Sequence, residues 1–178
     1  MPTERPSTRA QSGRSRILIV DDDPIVADSL AEFLSGAGYD TVTCASGPEA
    51  LETLWEAANQ EPGAQRPRQF NLVICDCSMP GMDGMEVLER IGREHPDVVV
   101  VMLTGYGTIE SAVGAVKRGA ADYLTKPVVD NELRITLEKA LRQQALLAEN
   151  RTLREQLDGR FGLDNIVGGD HRMLKVYD

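Results

Sequence analysis

The chain has 178 residues, 42% of them hydrophobic, which suits one domain with a proper core plus a modest remainder and leaves no room for two full domains. Only 3 Cys are present, a count that argues against a disulfide framework and for a reducing cytoplasm, and no apolar run approaches the ~18 residues of a membrane span. The net charge of −9 divides into +3 over residues 1–16 and −12 over the rest, which argues against gripping nucleic acid by charge.

In chain order, residues 1–15 are rich in Pro, Ser and Arg, show no periodicity and read as a disordered tail rather than a secretory signal. Continuous apolar runs follow at 17–20, 72–75 and 98–103, the pattern of strands buried on both faces. Weaker strand signals lie at 39–44 and 122–124. Helical patterns separate them. The first, 24–35, sets Ile25, Leu30, Phe33 and Leu34 towards one side. The second opens with Ser46 and Glu49 in capping-box spacing and continues through Leu51, Leu54 and Trp55. The third and fourth span 85–94 and 109–118, and the fifth starts near Asn131.

Five strands alternating with five helices predict an α/β fold with a doubly wound parallel sheet. Ligands of such sheets bind beyond the carboxyl ends of the strands. Residues 59–69 hold two prolines and a glycine and read as a loop insertion.

The strand ends carry the chemistry. Asp21, Asp22 and Asp23 follow the first strand, and Asp76 follows the third. Two ionised carboxylates ~5 Å apart at an effective dielectric near 20 repel by roughly 3 kcal/mol, about two pKa units. Such a group takes up protons or recruits a hard divalent cation, and Mg²⁺ suits oxygen ligands best. The plainer alternative is that Asp21–Asp23 only caps the helix opening at Pro24. Thr104 at the end of the fourth strand and Lys126 after the fifth bring a hydroxyl and an ammonium to the same edge. Together these groups suit phosphoryl transfer, with an aspartate as nucleophile. Cys75 and Cys77 flank Asp76 on the opposite strand face and read as small buried hydrophobes. His95 and His171 have no companions in the sequence and read as solvated.

The segments ILIVDDD (17–23), VICDCSMPGMDG (73–84), MLTGYG (102–107) and DYLTKP (122–127) together resemble the receiver domain of bacterial two-component response regulators, over about residues 16–142. The resemblance implies a flavodoxin-like five-stranded sheet, with Asp76 as phosphoacceptor. It implies Mg²⁺ held by Asp21, Asp22, Asp76 and the backbone carbonyl of Ser78. It further implies Lys126 as the phosphate-binding lysine, Thr104 and Tyr123 as a switch pair, and a cis bond between Lys126 and Pro127. The expected partner is a sensor histidine kinase. A phosphoacceptor of this kind is a switch and not an enzyme in the usual sense. The spacing from Asp22 to Asp76 is longer than the family's usual one, and residues 59–69 account for the excess. An aspartate-nucleophile phosphatase of the haloacid dehalogenase type is a poorer match, because the second acid it needs is replaced by Ser78.

Residues 131–157 fit one helix of 27 residues, about 40 Å long. Its first half carries Leu133, Leu137 and Leu141 for the sheet; its second carries Leu146, Asn150, Leu153 and Leu157 at d, a, d, a positions, the pattern of a dimeric coiled-coil linker over 143–159. A homodimer is therefore expected, through this helix or through the face of strands four and five with helix four. Residues 160–178 contain FGLDNIVGGD and are similar to the opening of the AAA+ domain of NtrC-type, sigma-54-dependent activators, cut short before any phosphate-binding loop. A stand-alone regulator acting by protein contact is the alternative. No membrane or nucleic-acid contact is expected of these residues.

Overall fold

The computed structural model describes residues 14–59 and 69–161. Most of the expected tail, most of the 59–69 insertion and the AAA+-like residues 162–178 lie outside the described residues, as does His171. Five strands, β1 (Arg16–Val20), β2 (Asp40–Cys44), β3 (Leu72–Asp76), β4 (Val99–Thr104) and β5 (Asp122–Thr125), alternate with α1 (Pro24–Gly36), α2 (Gly47–Ala58), α3 (Gly84–Glu94), α4 (Ile109–Lys117) and α5 (Asp130–Phe161). The sheet is wholly parallel in the order β2-β1-β3-β4-β5. The chain reverses its direction of travel between β1 and β3, and there the edge crevice of a doubly wound sheet opens.

Alternation within the apolar runs builds two cores. Ile17, Ile19, Leu72, Ile74, Val101 and Leu103 face α1 and α5, while Leu18, Val20, Val73, Cys75, Val100 and Met102 face α2, α3 and α4. A strand covered on both sides has no polar face, which is why β1, β3 and β4 read as unbroken apolar runs.

The helices obey sharper rules than their composition suggests. On α1 the buried stripe is Ala27, Leu30 and Leu34, and Ile25 is 78% exposed. Nine residues separate Ile25 from Leu34, about two and a half turns, so the two point to opposite sides. Ile25 instead lines a surface cleft with Phe33, Pro127 and Val128. On α2, Leu51 and Leu54 are buried and Trp55 is 61% exposed, one step past the stripe. Ser46 caps α2, and Glu49 reaches past it to accept from the Ala45 N–H at 2.8 Å. Helix α4 has a capping box that the sequence reading did not mark, made by Thr108 with Ser111. His95 caps the end of α3 with its Nε2 buried, so it is not the solvated side chain its isolation suggested.

Contacts divide the chain into Met1–Gln144 and Ala145–Asp178. In the first unit Leu133, Leu137 and Ala140 of α5 are buried, with Leu141 half-buried beside them. Gln144 ends that part, accepting from the Asn71 side chain and donating to the Asp97 carbonyl, both at 3.3 Å. In the second unit Leu146, Leu153 and Leu157 are exposed, and Arg151 pairs with Glu155 one turn on at 2.9 Å. Among the described residues no helix is long and apolar enough to cross a membrane.

Candidate functional site

Each acidic group of the carboxyl edge is placed by a strand that ends beside it. Asp21 follows β1 directly, and its backbone N–H continues the ladder to the Cys44 carbonyl at 3.1 Å. Asp76 is the last residue of β3. Its neighbour in register on β4 is Leu103, so Thr104 stands one step further along the same edge. On the far side Thr104 pairs with Thr125, and the Lys126 N–H donates to the Thr104 carbonyl at 2.7 Å. The Lys126–Pro127 peptide bond is cis.

The three acids after β1 divide their tasks. Asp23 is the N-cap of α1 and accepts from the Ile25 N–H at 2.9 Å, so capping accounts for this residue alone. Asp21 is 2% exposed and accepts from the Asp23 N–H at 2.9 Å, which leaves its second oxygen for the crevice. Asp22 is exposed. Carboxylate oxygens of Asp21, Asp22 and Asp76 lie within 4.8 Å of one another.

Lys126 sits among them. Its ammonium donates to Asp21 Oδ2 at 2.7 Å and lies 3.1 Å from Asp76 Oδ1. Burial works against its charge, but the hydrogen bonds and charges of Asp21 and Asp76 outweigh this and raise its pKa. Burial raises the Asp76 pKa above the ordinary carboxylate value, with the Asp21 charge acting in the same direction; the Lys126 ammonium and the Ser78 N–H only partly oppose it. For Asp76, leaving water costs more than the Lys126 ammonium returns.

The donor set is hard oxygen throughout. Burial, with the neighbouring Asp76 charge, pushes the Cys77 thiol up to about 11, and burial pushes Cys75 further. Both pack on the α2–α4 side of the sheet. The residues present therefore fit a small divalent cation with oxygen ligands and not a thiolate metal site.

Thr104 and Tyr123, the expected switch pair, lie on the neighbouring strands β4 and β5. Thr104 is buried, and its Oγ1 accepts from the Tyr106 N–H at 3.2 Å. Tyr123 is half-buried on β5, and its hydroxyl meets Ser111 Oγ at 3.0 Å. Two glycines that composition alone does not single out permit this arrangement. A Cβ on Gly84 would collide with the Asp76 carbonyl, and one on Gly107 would collide with the Thr125 methyl. Gly84 stands at the first turn of α3, where its N–H donates to the Cys77 carbonyl at 3.0 Å. The D-G at 83–84 was the available signal. Ser111 left none beyond its own hydroxyl.

Two buried aspartates, a lysine bridging them and a hydroxyl on the next strand suit phosphoryl acceptance at the carboxyl edge of the sheet. The family model for the response regulator receiver domain matches residues 17–138, and the chain belongs to that family. Among curated proteins it is 40% identical over 141 residues to the nitrogen assimilation regulatory protein NtrX of Azorhizobium caulinodans, covering 78% of this chain and 29% of that one. It is 34% identical over 164 residues to the C4-dicarboxylate transport transcriptional regulatory protein DctD of Pseudomonas aeruginosa, covering 92% of this chain and 33% of the relative. The chain thus spans a third or less of these relatives. A solved receiver domain from Clostridium thermocellum superposes with a TM-score of 0.66 at 32% identity, covering 75% of this chain and 98% of that one. Receiver domains act as phosphorylation-driven signalling switches and bind Mg²⁺ at an acidic pocket; this chain has such a cluster.

Proposed function

We propose that Asp76 accepts a phosphoryl group from the phosphohistidine of a sensor histidine kinase. A carboxylate oxygen of Asp76 attacks phosphorus, the P–N bond breaks, and the histidine nitrogen leaves, taking a proton. The product is an acyl phosphate. The observation that carries this reading is the Lys126 ammonium lying within 3.1 Å of both Asp21 and Asp76 at the carboxyl edge of the sheet. Asp21, Asp22, Asp76 and the Ser78 backbone carbonyl would hold Mg²⁺, which when bound neutralises phosphoryl charge. Lys126 pairs with a phosphoryl oxygen and partly offsets the burial that raises the Asp76 pKa. Thr104 gives up its Tyr106 contact to donate to a phosphoryl oxygen, and Tyr123 turns into the space it leaves. Two packings of one fold thus exchange population under a local charge event.

The output side rests on the α5 extension. Leu146, Asn150, Leu153 and Leu157 lie along one helix and are exposed, the arrangement a parallel two-stranded coiled coil uses, with Asn150 setting register. Together with residues 160–178 and the similarity to DctD over 92% of the chain, this supports the regulatory part of a sigma-54-dependent activator. The cytoplasm is its setting, in keeping with three free cysteines.

Incubation with acetyl phosphate and Mg²⁺ followed by intact mass tests the reading. Wild type gains one labile phosphoryl group, and Asp76→Asn gains none. An unmodified wild type, or a variant modified to the same extent, removes Asp76 from this role.

A further inference from the structure

Helix α4 begins with a hydrogen-bonded cluster that does more than cap it. The Ser111 N–H donates to Thr108 Oγ1 at 3.1 Å, and the Thr108 N–H donates to Ser111 Oγ at 3.2 Å. Ser111 Oγ also lies 2.9 Å from the Thr108 carbonyl and 3.1 Å from Thr108 Oγ1. The Tyr123 hydroxyl meets the same oxygen at 3.0 Å, and either hydroxyl can be the donor. This bond joins β5 to the first turn of α4.

The surroundings favour this position of the ring. Tyr123 packs against the α2–α4 core with its hydroxyl at the surface, where Ser111 is exposed. Gly107 allows the β4–α4 loop to run close by; a Cβ there would stand 3.4 Å from the phenol oxygen. The other member of the switch pair is held by the same connection, since Thr104 Oγ1 accepts from the Tyr106 N–H at 3.2 Å. Both switch residues are thus tied to the β4–α4 segment, one through the loop and one through the cap. The helix they anchor exposes Ile109, Val113 and Val116.

We propose that Ser111 is a positioning residue of the switch: its hydroxyl retains Tyr123 at the surface, and the phosphorylated arrangement forms only when this bond is given up. The inference rests on the switch described under Proposed function. Because Ser111 keeps its bonds to Thr108 when Tyr123 departs, α4 retains its cap while the tie to β5 is released. A bond present in only one of two states biases their equilibrium by its own net worth. For a neutral hydrogen bond that bias is about fivefold.

The test uses the whole 178-residue chain with Mg²⁺ and beryllofluoride, a stable mimic of the phosphoryl group. Tyrosine is replaced by 3-fluorotyrosine, and the Tyr123 resonance among four is identified by its loss in Tyr123→Phe. Wild type should bind beryllofluoride and shift that resonance. Ser111→Ala should bind about fivefold more tightly, with its unliganded resonance already displaced towards the bound position. Ser111→Thr, which keeps the hydroxyl, should match wild type. In the Tyr123→Phe background Ser111→Ala should change the affinity no further. A purely capping role predicts the same change in both backgrounds, or a lower melting temperature with unchanged affinity, and either result overturns the proposal. Thr108→Ala removes the cap but not the phenol's partner; it should leave affinity near wild type, and a gain equal to that of Ser111→Ala counts against the proposal. If wild type binds and shifts while Ser111→Ala behaves identically, only the role of Ser111 falls. If wild type itself fails to bind, the switch reading fails and this inference with it.

Discussion

The two halves of α5 carry nearly the same spacing of leucines and meet opposite fates. Leu133, Leu137 and Ala140 recur at steps of four and three and are fully buried against the sheet. Leu146, Asn150, Leu153 and Leu157 recur at four, three and four and are exposed. Periodicity therefore states which side of a helix is apolar; what covers that side is settled by other elements. The first half shares its core with β1, β3, β4, β5 and α1. The exposed Leu146, Leu153 and Leu157 are the surface on which the proposed homodimer rests.

The largest effect separating the halves should come from Leu137→Ala. Removing a fully buried leucine leaves a cavity and costs about 2–5 kcal/mol of stability, read from the denaturation midpoint. An unchanged midpoint would mean that α5 is not part of the core. The paired substitution Leu153→Asp, Leu157→Asp should leave the stability of the receiver within about 0.5 kcal/mol, because exposed sites contribute little. Sedimentation of that variant should nonetheless give a monomer where wild type gives a dimer. A variant that stays dimeric would move the interface into the globular part.

A subtler effect belongs to the buried unit alone. Asp76 holds its proton more tightly folded than unfolded, so its contribution favours folding below the ordinary carboxylate range and fades as pH rises through the raised value. Above that value the ionised group costs stability. Lys126, whose pKa is also raised, shifts stability in the same direction at higher pH: it stabilises at neutral pH, and that contribution is lost as the pH passes its raised pKa. Without Mg²⁺, Asp76→Asn should therefore melt higher than wild type at pH 7, with the gap closing under acid conditions. The double substitution at Leu153 and Leu157 should leave this pH dependence unchanged. A lower melting temperature for Asp76→Asn at neutral pH would show that the Lys126 contact outweighs burial.

Much of this was legible in the residues. Strands buried on both faces have no polar positions, so β1, β3 and β4 were marked to within a residue or so of their ends. Short connections at the strand ends left Asp21, Asp76, Thr104 and Lys126 little choice but to share one edge. Side-chain orientation on helices was harder to read. Ile25 and Trp55 are as apolar as their neighbours, and a displacement of one or two positions from the stripe turned each to solvent. Ala140 is fully buried beside Leu133 and Leu137, and Leu141, expected to pack there, does so half-buried, because the helix turns the smaller side chain more directly towards the sheet. The bond between Ser111 and Tyr123 spans twelve residues and depends on where α4 starts, which no local pattern fixes.

Which aspartate carries the phosphoryl group can be read chemically. Borohydride reduces an aspartyl phosphate to homoserine, so peptide mapping after acetyl phosphate and borohydride treatment reports the modified position directly. Homoserine is expected at position 76 and nowhere else, with formation dependent on Mg²⁺. Homoserine at position 21 or 22, or none at any position after documented phosphorylation, would contradict that assignment.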